Sequence, residues 1–452
     1  MKERTENIMG TKPIGSLLLG MAFPIMISLI VQALYNVVDS VFVSMLSENA
    51  LTSVSLVYPI QKLMIAVAVG TSVGMNSLLS CTLGEKQYEK ANRVANNGVF
   101  LSIAGWAVFV IIGLTCSTWF LNSFTTNPEI ATAGADYMRI CTVFSFGMFV
   151  QITMDRVLQV TGKAIYQMLS QLVGAVVNIF LDPILIFGLF GLPKMGVKGA
   201  AWATVISQIV GMVIILIINH YKNHEVRINF KEMMPDVKTI CGIYQVGLPA
   251  TIMLSIGSVM VFGMNKILIA FTDTAVSVFG VYFKLESFVF MPVYGVTNAL
   301  VPIIAYNYGA RRKDRIMQTL KLSNIVISVI LIAGTALFLL APTWLLSLFN
   351  ASESMYAIGV PALRIISLSF CITGVAFVLS CLFQALGEGV LSLLMSIFRQ
   401  LVLLLPCAWL LAHFFGLEAL WYSFLISEGC ALILAIFFYK RVYERKLKNM
   451  EP

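Results

Sequence analysis

Asp39 and Asp182 each stand inside a long apolar run, with no Lys or Arg close to either in sequence. An ionisable residue at mid-span costs roughly 2.5–3.5 kcal/mol on insertion scales, so each needs a reason to be there. Two carboxylates withdrawn from water without a salt bridge should share a proton or hold a small cation. The chemistry these residues could do is therefore cation uptake and release. Asn178 precedes Asp182 by four residues on the same helix face, and Pro183 frees a backbone carbonyl one turn earlier. Ser28, Gln32, Tyr35, Asn36 and Asp39 recur every three or four residues and form a second polar stripe, and Thr204 follows the small-residue run Gly199-Ala200-Ala201. Lipid cannot satisfy such stripes, so they must face a cavity or a partner helix. For Gln32, Asn36 or Thr204 taken singly, hydrogen bonding between helices is an equally good explanation. For the aspartate pair it is not.

The second half of the chain has charges of its own: Lys266, Lys284, Glu286, Arg399 and Glu428. Ion pairs among them are the plainest account, although Lys284 and Glu286, two apart, do not share a helix face. Glu286, deep in its apolar run, could instead attract a cationic substrate. A cavity rich in Met, Phe and Tyr would suit varied apolar cations. Other chemistries are missing. There is no phosphate-binding GxxxxGK[ST] loop, so no ATP-driven pump is encoded here, and no HExxH zinc site or nucleophile elbow, which argues against an enzyme. The eight cysteines form no CxxC pair and read as small membrane hydrophobes.

The elements that must position these residues follow from composition. The 452 residues are 59% hydrophobic and 12% charged, whereas a soluble domain has roughly 45–50% and 25%. This excludes a cytosolic enzyme, a disordered chain and a disulfide scaffold, and the apolar runs are too long for the strands of a porin-type barrel. Twelve spans are expected, near 14–45, 53–83, 94–120, 132–157, 164–189, 199–220, 240–271, 276–307, 317–348, 355–383, 389–413 and 417–440, the first of them uncleaved. Prolines 24, 59, 183, 249, 292, 302 and 406 are candidate kinks. At 1.5 Å per residue, Asp39, Asp182 and Thr204 come roughly 9, 11 and 8 Å inside the outer ends of their spans. Counting alternate loops puts 22 of the 30 Lys and Arg, Arg156 among them, on the side of both termini, against Lys194 and Lys198 opposite. The positive-inside rule makes that side cytoplasmic, and the net charge of +8 marks membrane orientation, with no nucleic-acid partner implied.

The chain also repeats itself at a shift of 225, which superposes Pro24 on Pro249, Gly70 on Gly295, Gly84 on Gly309, Arg139 on Arg364 and Gln159 on Gln384. Six spans per repeat keep the two halves in the same orientation, related by a pseudo-two-fold axis along the membrane normal. The expected organisation is an N-terminal lobe over 1–219, a cytoplasmic linker over 220–239, a C-terminal lobe over 240–440 and a basic cytoplasmic tail over 441–452. The repeat is an internal control, because Met264 and Cys407 replace Asp39 and Asp182 in the second half. The acidic pair is no by-product of the fold.

These residues resemble the multidrug and toxic compound extrusion (MATE) family over nearly the whole chain, and within it a prokaryotic branch. The carriers are Pro24 with Gln32, Tyr35, Asn36 and Asp39; Leu83-Gly84-Glu85-Lys86; Tyr137-Met138-Arg139-Ile140; Gln159-Val160-Thr161-Gly162-Lys163; Asn178-Ile179-Phe180-Leu181-Asp182-Pro183; and Gly199-Ala200-Ala201-Trp202-Ala203-Thr204. The resemblance implies an all-α polytopic fold of twelve helices in two six-helix lobes. It also implies a cation-coupling site at Asp39, Asn178, Asp182 and Thr204, with Ala200 offering a carbonyl, where H⁺ or Na⁺ would bind. Gln32, Tyr35, Asn36 and Glu286 are the expected substrate-cavity residues. Another branch uses acidic residues of the seventh and tenth spans, where this chain offers Lys266 and no carboxylate. The implied activity is export of cationic amphiphilic small molecules in exchange for H⁺ or Na⁺, by rocking of the two lobes. No other cofactor is expected, and the protein is taken as a monomer in a prokaryotic plasma membrane. The alternative is a related lipid-linked oligosaccharide flippase, which would be expected to need a cationic cavity to meet a pyrophosphate.

Overall fold

The computed structural model describes residues 7–229 and 234–450, and among them it is helical throughout, with no strand. A short α1 (Ile8–Thr11) precedes α2 (Ile14–Ser44), α3 (Glu48–Gly84), α4 (Tyr88–Phe124), α5 (Pro128–Val143), α6 (Phe146–Val160), α7 (Ala164–Phe187) and α8 (Val197–Lys222). The second half comprises α9 (Val237–Leu268), α10 (Asp273–Gly309), α11 (Lys313–Leu340), α12 (Pro342–Ser347), α13 (Glu353–Ser367), α14 (Phe370–Ala385) and α15 (Gly389–Ile397). A π-helical segment over Phe398–Leu404 then leads into α16 (Leu405–Phe415), α17 (Leu417–Leu420) and α18 (Tyr422–Val442). Ten spans pass on length and hydropathy alone, and the bent pairs α5/α6 and α13/α14 bring the total to twelve.

The 225-residue repeat is visible in backbone detail. Helices α3 and α10 both run 37 residues and start at Glu48 and Asp273, 225 apart. Ser47 and Thr272, equally spaced, cap them by accepting the amides of Ala50 and Ala275 at 3.0 Å each, which satisfies donors that the first helical turn leaves orphaned. Lys86 and Arg311 both turn the chain with left-handed φ, 59° and 56°. The two broken spans bend by 44° and 47° next to Ser145 and Ser369, whose hydroxyls donate to the carbonyls of Thr142 and Ile366 at 2.7 Å. Expected as continuous single spans, these two each form a bent pair with the break at the serine. The candidate kink prolines 24, 59, 183, 249, 292 and 302 instead lie inside unbroken helices.

The lobes meet through α2 against α10 and α3 against α9, two contacts exchanged by the pseudo-two-fold, with α3 crossing α10 on the axis. Glycine makes that crossing possible. A Cβ on Gly84 would lie 2.0 Å from the carbonyl oxygen of Tyr306, and one on Gly309 would lie 2.0 Å from that of Cys81. A Cβ on Gly70 would likewise meet Thr251 Oγ1 at 2.0 Å, and one on Gly295 would meet Met26 Cγ at 2.1 Å. All these contacts fall in the halves of their helices nearer the basic loops. At the same end α1 straps the lobes together. Asn7 donates to Val160 O at 3.4 Å, while Asn307 donates to Met9 O at 3.3 Å. Arg315 reaches Met9 O at 2.9 Å and Lys12 O at 2.7 Å, and Arg312 donates to Gly10 O. Beyond α18, Lys446 pairs with Glu388 at 2.9 Å, and Arg445 pairs with the same oxygen. Despite partial burial, which opposes ionisation, these two cations hold the Glu388 carboxyl below its usual range.

Gly309→Val would force backbone apart at the α3–α10 crossing. The expected cost is ~1–3 kcal/mol, read as a lowered unfolding midpoint of the purified protein. Gly280→Ala, on the same helix with nothing within 4 Å of its Cβ position, should leave that midpoint in place.

Candidate functional site

Helices α2 and α7 pack along their length and bring the two aspartates of the sequence analysis together. The Asp39 and Asp182 carboxyls come close enough to interact with each other. Asp182 and Asn178 are fully buried, Asp39 is half-buried, and Asn178 Nδ2 donates to Asp182 Oδ1 at 3.4 Å. Three oxygens at this spot, Asp39 Oδ1, Asn178 Oδ1 and Asp182 Oδ2, are buried without any hydrogen-bond partner. Leaving one such group unsatisfied costs ~1–3 kcal/mol. Three together make an electron-rich concavity whose remaining need is a positive charge or a proton. Among the described residues no group of three His, Cys, Asp or Glu is placed to hold a metal, so any cation here would rest on two carboxylates with amide, hydroxyl or carbonyl oxygens.

Helix α8 completes the surroundings. Gly199 sits against the Leu185 carbonyl (2.5 Å from a Cβ built there), and Ser170 Oγ donates to Gly211 O at 2.9 Å. This antiparallel register sets Thr204 across from Asn178, about one turn further from the α7 C-terminus than Asp182. Ala200 is fully buried in an apolar cluster with Val43 and Ile186, residues one turn beyond the two aspartates. The cluster shields the pair from that side.

Beside the pair lies a central cavity of about 720 Å³ between the lobes. Gln32, Tyr35, Asn178 and Glu286 line it, whereas Asn36 is exposed on α2 and lies outside the lining. The C-terminal wall is aromatic: Phe290 and Tyr294 pack on Phe377 with ring centroids 5.9 and 6.0 Å apart. Arg399 stands over Phe377 at 5.1 Å and pairs with Glu428 at 3.1 Å. Glu286 forms no ion pair among the described residues and lies one turn from Tyr282 on α10, which also lines the cavity. Arg399 comes from the π-helical Phe398–Leu404, a widened turn that precedes Pro406, whose ring nitrogen cannot donate. Lys266 and Lys284 are exposed and stand over Phe262 and Phe349, at 5.7 and 5.8 Å, away from this group.

Sequence reasoning missed the inner part of the N-terminal wall. Arg156, counted there with the basic loops, instead projects into the cavity and donates to Gln159 Oε1 at 2.8 Å and, across the lobe boundary, to Asn298 Oδ1 at 2.9 Å. Its neighbour Asp155 is 3% exposed, accepts from Gln171 Nε2 at 2.9 Å, and keeps Oδ1 unpartnered. The signal was present in Gln167, Gln171, Asn178 and Asp182, whose spacings of 4, 7 and 4 make one continuous helix face. Only its outer half had been singled out. In all, the cavity wall carries three carboxylates (Asp155, Glu286 and Glu428) against two guanidiniums (Arg156 and Arg399).

The sequence profile of the MatE family matches residues 24–184 and 249–410, two segments whose starts are again 225 apart. The multidrug export protein MepA of Staphylococcus haemolyticus is 26% identical over 417 residues, covering 92% of this chain and 91% of that protein. MepA of Staphylococcus aureus strain NCTC 8325 is 24% identical over 441 residues, covering 97% and 96%. Among solved structures, the outward-facing conformation of a multidrug resistance MATE family transporter superposes with a TM-score of 0.91 at 26% identity, covering 99% of this chain and all of that one. A transporter from Pyrococcus furiosus, described as having a binding pocket of reversed polarity, gives 0.90 at 26% identity with the same coverage.

The Arg399–Glu428 pair can be tested by a double-mutant cycle. Arg399→Met leaves Glu428 buried with neither oxygen paired to a cation and should lower the unfolding midpoint. Arg399→Met with Glu428→Leu should recover most of the loss, with a coupling of about 0.5–3 kcal/mol.

Proposed function

This chain belongs to the MatE family, and from that premise we propose that it is a secondary active exporter of organic cations, exchanging them for H⁺ or Na⁺ at Asp39 and Asp182. The observation that carries the reading is the cluster of three orphaned oxygens, on Asp39, Asn178 and Asp182, beside the cavity. A proton or a sodium ion satisfies them, and the loss of that cation creates repulsion between two adjacent carboxylates. The site therefore favours different helix arrangements when loaded and when empty, which is the differential affinity that coupling requires. Because α2 carries Asp39 and also packs on α10 of the other lobe, a shift of α2 against α7 reaches the lobe interface directly.

The cavity supports organic cations as cargo through its aromatic wall and its one carboxylate in excess of guanidiniums. That balance disfavours a pyrophosphate-bearing lipid and with it the flippase alternative. With the basic loops and both termini taken as cytoplasmic, the α3–α10 crossing and the α1 strap close the cytoplasmic side, and the cavity faces outward. Rocking of the lobes about the α2–α10 and α3–α9 contacts would open the other side. One chain supplies both walls of the cavity and the cation site, in keeping with a monomer in a prokaryotic plasma membrane.

Asp39→Asn and Asp182→Asn should each reduce ethidium efflux from vesicles to background while the protein remains folded in the membrane. Efflux by wild-type protein should respond to an imposed pH gradient, to sodium, or to both, and the comparison identifies the coupling ion. Efflux at the wild-type rate by Asp39→Asn would refute the coupling assignment.

A further inference from the structure

Asp155 is not used by the coupling site just described. Gln171, which binds it, precedes Asp182 by eleven residues on α7, so Asp155 lies about 16 Å further toward the basic end at 1.5 Å per residue. It sits at the floor of the cavity, next to the Arg156–Asn298 bond that joins the lobes there. The fold itself does not ask for charge at this place. At the repeat-equivalent positions of the other lobe, Ser380, Cys381 and Gln384 line the same cavity where the N-terminal lobe has Asp155, Arg156 and Gln159.

Arg156 attracts its neighbour through space but forms no ion pair with it. Consecutive residues point about 100° apart around a helix, its Nη1 is committed to Gln159 and Asn298, and no ion pair joins it to Asp155. The Asp155 carboxyl is thus held through one oxygen by Gln171, while the other is buried at the cavity wall without a partner. A carboxylate in that state pairs strongly with any cation that reaches it.

We infer that Asp155 is the residue that binds the cationic group of the cargo at the inner end of the cavity, with Gln171 as the cover that closes over it once the cargo has left. The inference rests on the exporter reading. In an outward-facing exporter the loading site has to release its cargo, and a carboxyl covered by its own amide partner is the low-affinity form of such a site. When the lobes part at the floor, the Arg156–Asn298 bond breaks beside Asp155, and the carboxyl meets cargo arriving from the basic side.

The test uses the purified full-length protein with ethidium as probe, followed by fluorescence anisotropy for binding and by efflux from vesicles for transport. Asp155→Asn should weaken ethidium binding at least tenfold without lowering the unfolding midpoint, and Asp155→Glu should restore most of the affinity. Gln171→Met removes the cover, so it should tighten binding and slow efflux, an effect opposite in sign to that of a damaged cavity. Wild-type affinity in Asp155→Asn overturns the proposal, including when proton-driven efflux is lost, because the carboxyl would then serve a proton and not the cargo. Equal losses in Asp155→Asn and Asp155→Glu, with weaker binding in Gln171→Met, also overturn it in favour of a structural role. Wild-type protein that neither binds nor moves ethidium overturns the exporter reading itself, and this inference with it.

Discussion

A carboxylate oxygen buried without a partner is the constraint on which the rest of this structure depends. Water would satisfy it, lipid cannot, and the interior supplies only the amides of Asn178 and Gln171, one hydrogen bond to each buried aspartate. The helices around Asp39, Asp182 and Asp155 are thus left with an electrostatic deficit that a mobile cation can fill. A fully satisfied polar network would rigidify the lobe. Here the network between α2 and α7 is left incomplete, with oxygens of Asp39, Asn178 and Asp182 unpartnered.

The scaffold around that deficit is nearly symmetric. Caps, the α3 and α10 lengths and tight turns recur 225 residues apart, the serine bends 224 apart, and the glycines that let backbones touch at the lobe interface come in the same pairs. Symmetry gives the two halves a common axis. Chemistry enters where the symmetry fails: Met264 for Asp39, Cys407 for Asp182, Ser380 for Asp155 and Cys381 for Arg156. One lobe thus carries the three buried aspartates, while the other carries the aromatic wall, Glu286 and the Arg399–Glu428 pair. Otherwise equivalent halves thus present different chemistry to a single cavity.

Several features could be read before any coordinates because they depend on period and composition. Spans followed from apolar runs too long for anything but a bilayer, the repeat from one constant offset, and the Asn178–Asp182 face from a four-residue spacing. Where the reading departed from the structure, the reason was local competition that hydropathy does not record. The bends at Ser145 and Ser369 fall inside apolar runs and leave no mark on the hydropathy pattern, while the candidate kink prolines sit within continuous helices. Arg156 was assigned to a loop because it lies near the end of a span, yet its long side chain reaches inward to Gln159 and Asn298. Asn36 shares its stripe with Gln32 and Asp39 but turns out of the cavity, since a stripe spanning several turns is wider than the wall it faces.

By itself the sequence determined that the chain is a twice-repeated set of membrane helices, and that one repeat holds acidic residues the other lacks. These are one-dimensional properties, set by what a bilayer tolerates and by register along a helix. Only the tertiary structure decided which polar groups meet. That Asp39 meets Asp182, that Thr204 lies level with Asn178, and that Asp155 keeps a free oxygen at the cavity wall all depend on how α2, α6, α7 and α8 pack. Packing is governed by side-chain volume and close glycine contacts between segments far apart in the chain, and no spacing within one helix encodes it.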